Sequence, residues 1–159
     1  MRKRTVLGSV IIIAAVALGA VRDFLFVNLN YQIDAVEHRS PISYAHSLFR
    51  AAVAGLDLNA LNVMKWGLAM LYILLMLTAG IALSRVLFGD HRYRRPLVIG
   101  TAAIALISLA LHRLAVWNPA LEGVSIALSH AIQYPVPLLF ICAASWSRPA
   151  QQPEASTTN

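Results

Sequence analysis

The sequence predicts an all-α integral membrane protein built as a four-helix bundle, on the evidence of its composition, its apolar runs and its charge distribution. Hydrophobic residues make up 58% of the 159-residue chain and charged residues only 13%. Soluble domains average roughly 45–50% apolar and roughly 25% charged residues. A membrane-spanning helix needs about 20 apolar residues. The four long apolar runs therefore use most of the chain and leave no room for a separate soluble domain.

These runs define a transmembrane domain over residues 1–147. The spans are predicted at about 5–27, 62–88, 96–117 and 121–146, with an outer loop over 28–61. Pro135 and Pro137 interrupt the fourth span, so a kink is expected there. Residues 148–159 are rich in Pro, Gln, Ser and Thr, which predicts a disordered cytoplasmic tail.

A cleaved signal peptide is the alternative for the first run. A basic tip precedes the run, and the segment 15–17 (Ala-Val-Ala) offers a cleavage site. The apolar character resumes after Arg22 and Asp23 as the segment FLFV. A run of this length favours a retained span over a short signal sequence.

The outer loop is predicted to contain an amphipathic helix that lies in the membrane interface. Ser40 followed by Pro41 is typical of an N-cap and the first helical position. Gly55 is a plausible C-cap, and apolar residues recur at helical spacing between these ends. A short helix packed on the ends of the bundle is an equal alternative.

Charge placement predicts the orientation of the chain. With the N-terminus inside, the inner segments carry eight basic and two acidic residues, whereas the outer segments carry five of each. This excess of positive charge inside predicts a multi-pass protein of the bacterial inner membrane with both termini in the cytoplasm. In a soluble protein the net charge of +6 would suggest nucleic acid as a partner, but here topology accounts for it and no nucleic acid is expected.

Polar side chains in and near the spans predict a polar layer toward the outer face. Ionisable residues inside a bilayer are costly and indicate pairing or function. We expect Asp23 to pair with Arg113 across the bundle. Adjacent residues on a helix diverge by about 100°, so Arg22 and Asp23 are not expected to face the same neighbour. The predicted partner-binding or polar-layer residues are Arg22, Asp23, Asp34, Glu37, His38, His46, Arg113 and Tyr134.

Catalysis by the outer loop is one functional interpretation of these residues. His38, His46, Asp34 and Glu37 are acid–base groups, but no serine or cysteine nucleophile motif accompanies them. The only cysteine, Cys142, falls at the inner end of the fourth span. We therefore predict no catalytic residue and a non-catalytic protein.

Two further interpretations are ligand binding and assembly. His112 and His130 lie near the hairpin between the third and fourth spans, at roughly similar depth. They predict a small haem- or metal-binding subunit as the alternative function, although no cofactor is expected on balance. In the favoured interpretation the outer loop and polar layer contact another membrane protein. The lipid bilayer is the second expected partner, and the oligomeric state stays open.

One family resemblance accompanies the assembly interpretation. The segment RDFLF at 22–26, the polar loop after it and the pair KW at 65–66 resemble small multi-span proteins that accompany exosortases in Bacteroidetes-type bacteria. Exosortases are membrane transpeptidase-like enzymes that process tagged surface proteins. The chain lacks the Cys, Arg and His arrangement of an exosortase and has too few spans. The resemblance therefore implies an accessory of a protein-sorting or envelope system.

Overall fold

The computed structural model describes residues 2–89 and 93–146, and every regular element within them is an α-helix. In chain order these are α1 (Arg2–Glu37), α2 (Ser47–Ala52), α3 (Leu58–Phe88), α4 (Arg94–Leu114), α5 (Ala120–Gln133) and α6 (Val136–Trp146). The predicted all-α class is therefore confirmed for these residues. The tail predicted over 148–159 lies outside them.

Three of the helices are long and apolar enough to cross a membrane, namely α1, α3 and α4. The helices α5 and α6 pass the same test together and meet at an angle of 62°. Their break lies at Tyr134 and Pro135, where the proline lacks the N–H that would continue the helix. The fourth apolar run is therefore a broken helix, with its kink beside the first of the two prolines.

The first helix is longer than predicted, because it continues through Glu37 instead of ending at Val27. Polar residues such as Asn28 suggested an irregular loop, yet apolar residues at helical spacing continue on one face. Leu29 is fully buried against Leu61 and Val53. Burial of this face stabilises the helix more than the weak helix propensity of asparagine and aspartate disfavours it.

The predicted amphipathic helix is wrong in its start and its length. The helix α2 has six residues, and His46 is its N-cap through a hydrogen bond that its ring accepts from the N–H of Leu48. Ser40 does not cap a helix, because its hydroxyl bonds the backbone of Ile42 in a local turn. Within this short segment Phe49 and Val53 pack on the bundle.

The remaining ends follow local chemistry. The helix α3 begins four residues earlier than predicted, because the Asp57 carboxylate caps it by accepting from the N–H of Ala60 at 2.8 Å. It ends at Gly89, which adopts a left-handed conformation with φ of 70°. The helix α4 ends at Leu114, so Trp117 belongs to the following turn.

The helix α3 is the centre of the packing. It lies along α1 and also contacts α4, α5 and α6, while α4 packs mainly along α5. A core of Ala15, Met76, Leu83, Leu138 and Ile141 joins α1, α3 and α6. The broken helix is therefore tied to the rest of the protein from both of its halves.

Basic residues collect at one end of the helices. The N-terminus of α1 lies beside the C-terminus of α3. Nη1 of Arg4 is 3.8 Å from the position that a Cβ on Gly89 would take. The Phe88 and Tyr93 rings stack at 4.5 Å and bring the start of α4 to the same place. In residues 2–89 and 93–146 this end, the basic end, carries Arg2, Lys3, Arg4, Arg85, Arg94 and Arg95 and no acidic residue.

Candidate functional site: a polar cluster at the helix break

The helix α1 passes close to the break between α5 and α6. A Cβ placed on Gly19 would lie 3.7 Å from Cδ1 of Tyr134 and 3.7 Å from Cδ of Pro135. Gly19 is buried, so any larger residue here meets the break directly. This approach brings the next turn of α1, with Arg22 and Asp23, to the end of α5.

Arg22 is the most buried charge of the site, with only 3% of its side chain exposed. Its Nε and Nη2 donate to Oε1 of Gln133 at 2.9 and 2.8 Å. The Nε2 of Gln133 in turn donates to Oγ of Ser129 at 2.9 Å. The guanidinium therefore binds the last residue of α5, where the partial negative charge of a helix C-terminus favours a cation.

Asp23 and Tyr134 complete the cluster. Nη1 of Arg22 donates to Oδ1 of Asp23 at 3.0 Å and to the Tyr134 hydroxyl oxygen at 2.9 Å. The Tyr134 hydroxyl donates to the same Oδ1. The expectation that Arg22 and Asp23 face different neighbours is wrong. The long arginine side chain reaches across the helix surface, and the tyrosine hydroxyl bridges the two residues.

Aromatic rings cover the arginine from two sides. The guanidinium carbon of Arg22 lies 4.6 Å from the centre of the Phe26 ring and 4.5 Å from that of Tyr134. Cation–π contacts of this kind stabilise a desolvated cation by about 2 kcal/mol. Arg22 therefore has an anion, an amide oxygen, a hydroxyl and two ring faces as partners, which is what a buried charge needs.

The predicted pair between Asp23 and Arg113 is wrong. Asp23 uses its contacts on Arg22 and Tyr134, and Arg113 is exposed in the last turn of α4. An arginine at this position reaches the end of its helix and solvent with its long side chain. The charge that neutralises Asp23 comes from the adjacent residue in the sequence.

Part of the cluster is exposed on the outside of the helices. Half of the Asp23 side chain is accessible. The exposed His130 ring packs edge-to-face on Tyr134 with centroids 5.9 Å apart. We call Asp23, His130 and Tyr134 the Asp23 face. It places an acidic, a basic and a hydroxyl group together beside apolar surface.

The predicted outer-loop residues form a separate group. His38 and Asp34 are an exposed pair, with Nδ1 of the ring 3.2 Å from Oδ1 of the carboxylate. Glu37 is the exposed last residue of α1. The eleven residues from Asp23 to Asp34 correspond to about 16 Å of helix. This group therefore lies farther along α1 than the polar cluster, in the segment predicted as the outer loop.

His46 links the loop to α1. Its ring packs on Phe24 with centroids 5.8 Å apart, and its backbone N–H donates to Oδ1 of Asn28. Asn28 is buried and donates from Nδ2 to the carbonyl of Phe24 at 2.7 Å. These contacts give His46 a structural role in fixing the start of α2.

His112 and His130 do not fit a shared bis-histidine site. Ser108 and Ser125 bond each other's backbone carbonyls at 2.8 Å and fix the register of α4 against α5. This register places His130 level with Ala103, nine residues or about 13 Å from His112 along the helix axis. The rings also have different neighbours, since His112 packs on Trp66. The two depths, judged similar from distance to the hairpin, therefore differ.

Three residues of the site were absent from the predicted set. Gly19, Ser108 and Ser125 all lie in helix contacts. They are small residues whose role depends on which helices become neighbours. Gln133 was expected in the polar layer from its place in the fourth apolar run, but its partner was not predicted.

Comparison of the chain with protein-family models, curated proteins and solved structures finds no match in any of the three. In residues 2–89 and 93–146 no group of three or more His, Cys, Asp or Glu residues is arranged to hold a metal ion. The function is therefore argued from the polar cluster and its surface.

Proposed function

We propose that the protein is a non-catalytic accessory subunit of a membrane assembly in the bacterial envelope. In this proposal the protein crosses the inner membrane four times, with the broken α5–α6 pair as one of the four spans. Both of its termini are in the cytoplasm. The length and apolar composition of α1, α3, α4 and the α5–α6 pair support the membrane location. The half-exposed carboxylate of Asp23 is the observation that carries the assembly role.

The depth of Asp23 makes its exposure significant. The ring of Phe26, which covers Arg22, packs on Tyr72 with centroids 6.4 Å apart. Tyr72 lies six residues, or about 9 Å of helix, from Trp66. If Trp66 marks the membrane interface, as tryptophans often do, the carboxylate lies within the hydrocarbon. An isolated aspartate at the centre of a span costs roughly 2.5–3.5 kcal/mol.

Arg22 offsets only part of this cost. Both contacts of the Asp23 carboxylate in the described ranges use Oδ1, so Oδ2 is available to a partner. Along α1 the carboxylate has exposed apolar neighbours, Ala20 and Val27, at helical spacing. This surface suits a partner membrane helix with a hydrogen-bond donor or a basic residue at the same depth. Docking of that helix would remove the carboxylate from lipid.

An exosortase-containing system is the narrower form of the proposal. The segment 22–26, on which the resemblance rests, contains Arg22, Asp23 and Phe26, which all belong to the polar cluster. Phe24 of the same segment holds His46. Of the residues behind the resemblance, Asp23 lies on the proposed docking surface, and Arg22 and Phe26 pack beneath it. This supports an accessory role over an unrelated one.

Site-specific photo-crosslinking in native membranes tests the assembly role. A photoreactive residue at Ala20 or Val27 should give a defined adduct with a second multi-pass membrane protein. The exposed positions Val63 and Leu74 on α3 are matched controls and should give none. Asp23→Asn should weaken the adduct, because the amide keeps a bond to Arg22 but loses the charge.

Two outcomes would contradict the proposal. Adducts of equal yield at the Ala20 and Val63 positions would show that neighbouring membrane proteins collide with the helices at random and that no docking surface exists. Absence of any adduct at both Ala20 and Val27 would show that no partner protein docks on this surface. The identity of the crosslinked protein tests the narrower form separately. An exosortase would support it, and another envelope protein would contradict it.

A further inference from the structure

A large apolar cleft extends from the basic end to the break between α5 and α6. It has a volume of about 440 Å³, within the range of roughly 300–1,000 Å³ that is typical of ligand pockets. Leu97 and Ile104 of α4 form one wall, and Phe140 and Ile141 of α6 form the other. Phe88 of α3 and Ala131 of α5 close its ends.

The bend between α5 and α6 produces this cleft. The serine pair Ser108 and Ser125 holds α5 against α4. Beyond the break α6 turns onto α3, where Ile141 lies 3.7 Å from the position of a Cβ on Gly80. The N-terminal half of α4 and the helix α6 therefore diverge, and a gap remains between them.

The lining selects a hydrocarbon ligand. Nearly all of the lining residues are aliphatic, proline or phenylalanine. The exceptions are Tyr93 and Ser84, and the Ser84 hydroxyl already donates to the carbonyl of Ile81 at 2.9 Å. A polar ligand would lose its hydration in this cleft without replacement hydrogen bonds. An alkyl chain has no polar hydration and loses no hydrogen bonds on entering the cleft.

The charge at the mouth selects the head of that ligand. Arg94 and Arg95 are exposed and lie between Tyr93 and Pro96, two residues that line the cleft. The basic end around them carries no acidic residue within the described ranges. Basic pockets between spans on the cytoplasmic side of a membrane bind anionic lipid headgroups.

We propose that the cleft holds one acyl chain of an anionic phospholipid, with the lipid phosphate on Arg94 and Arg95. This lipid is distinguished from lipids that surface charge alone attracts, because one of its acyl chains fills the cleft. The inference rests on the proposed membrane location and orientation. It does not depend on the partner role of the Asp23 face.

Native mass spectrometry of the full chain tests this assignment. The protein is extracted from bilayers of equimolar phosphatidylglycerol and phosphatidylcholine with matched acyl chains, and the retained lipids are counted. Wild type should retain phosphatidylglycerol preferentially, by about fivefold for each arginine that contacts the phosphate. Arg94→Gln with Arg95→Gln should abolish the preference.

Two further variants separate the headgroup from the chain. Arg50→Gln with Arg113→Gln removes the same charge from exposed positions at the other end and should keep the preference. Ala131→Phe places a ring in the cleft and should reduce retention of both lipids. Variants are compared only if their circular dichroism and elution volume match wild type, and equal retention of the two lipids by wild type overturns the assignment without any variant.

Three results would overturn the assignment. Equal retention of the two lipids by wild type would leave no specific site. A preference unchanged in the Arg94 and Arg95 variant would place the phosphate elsewhere. A wild-type dimer that retains no lipid would indicate that a second copy fills the cleft. Failure of the crosslinks at Ala20 and Val27 would not alter any of these results.

Discussion

Arg22 and Gln133 join α1 to the end of α5 through two hydrogen bonds to a single amide oxygen, at 2.9 and 2.8 Å. Both side chains are almost completely buried. The contact spans 111 positions of the chain and lies at the point where α5 stops. It therefore fixes the broken helix against α1 and holds the Asp23 carboxylate in place.

The first prediction concerns this pair. Gln133→Leu leaves Nε and Nη2 of a buried guanidinium without their acceptor, which should lower the free energy of unfolding by about 1.5–3 kcal/mol. Arg22→Met should also destabilise. The double variant should lose less than the sum, because removal of both partners leaves neither a guanidinium without its acceptor nor an amide without its donor between the two helices. Reversible unfolding in detergent measures all three variants in a double-mutant cycle.

Arg113→Met is the control for the loss of a positive charge. Arg113 is exposed, so its replacement should change the free energy of unfolding by no more than about 0.5 kcal/mol. Strict additivity of the Arg22 and Gln133 variants would show that the two side chains are not coupled, and the cluster would then not determine the position of α1.

The second prediction concerns the approach of α1 to the break. Gly19→Ala should be tolerated, since the new Cβ would make ordinary contacts of 3.7 Å with Tyr134 and Pro135. Gly19→Leu should destabilise by about 1–3 kcal/mol through overpacking. Gly67 is the matched control in α3, because nothing lies within 4 Å of its Cβ position. Equal effects of leucine at both glycines would contradict the close approach.

The sequence predicted the positions of the helices better than it predicted which helices pack against each other. Apolar runs located α1, α3, α4 and the α5–α6 pair to within a few residues at most ends, and Pro135 located the break. The extension of α1 to Glu37 was missed, because local polarity at Asn28 gave no sign of the long-range burial of Leu29. Helix propensity is a weak signal where tertiary packing decides.

The polar cluster was only partly predictable for a similar reason. The cost of charge in a span identified Arg22 and Asp23 as residues that need partners. Their partners depended on which helix passes closest to α1, and that depends on Gly19 and on the bend at Tyr134. A pairing based only on similar depth therefore chose Arg113, which lies on a helix that does not face Asp23.

The third prediction concerns the register of α4 and α5. Ser108→Ala or Ser125→Ala removes one hydroxyl that donates to the opposite backbone carbonyl. Such bonds between membrane helices contribute about 0.6 kcal/mol on average, so each single variant should be only mildly destabilised. Ser108→Leu should destabilise more, because the bulk separates two backbones that approach at this pair. Unfolding in detergent measures each effect.

Thr78→Ala is the control for this series. Its hydroxyl donates to the carbonyl of Leu74 within α3, so it contributes no contact between helices. A loss of stability in Thr78→Ala as large as in Ser125→Ala would show that the serine bonds have no special role in holding α4 against α5.

The last prediction is the orientation of the chain. In a Cys142→Ser background, a cysteine at Tyr44 should react with a membrane-impermeant maleimide in intact cells, because this side chain is among the most exposed of the outer loop. A cysteine at Lys3 should react only after the inner membrane is disrupted. The physical reason is the collection of six basic residues at the basic end within the described ranges, which the positive-inside rule places in the cytoplasm. The opposite pattern of labelling would invert the topology and move the lipid cleft to the other leaflet.

A cysteine at Lys3 that never reacts, together with a protein mass lower by that of the first apolar run, would instead show that this run is cleaved. Cleavage before Arg22 would separate Gly19 from the break and leave the arginine near a free chain end. Retention is therefore expected, because the contacts of Gly8 and Gly19 continue the packing of α1 along α3 and the break.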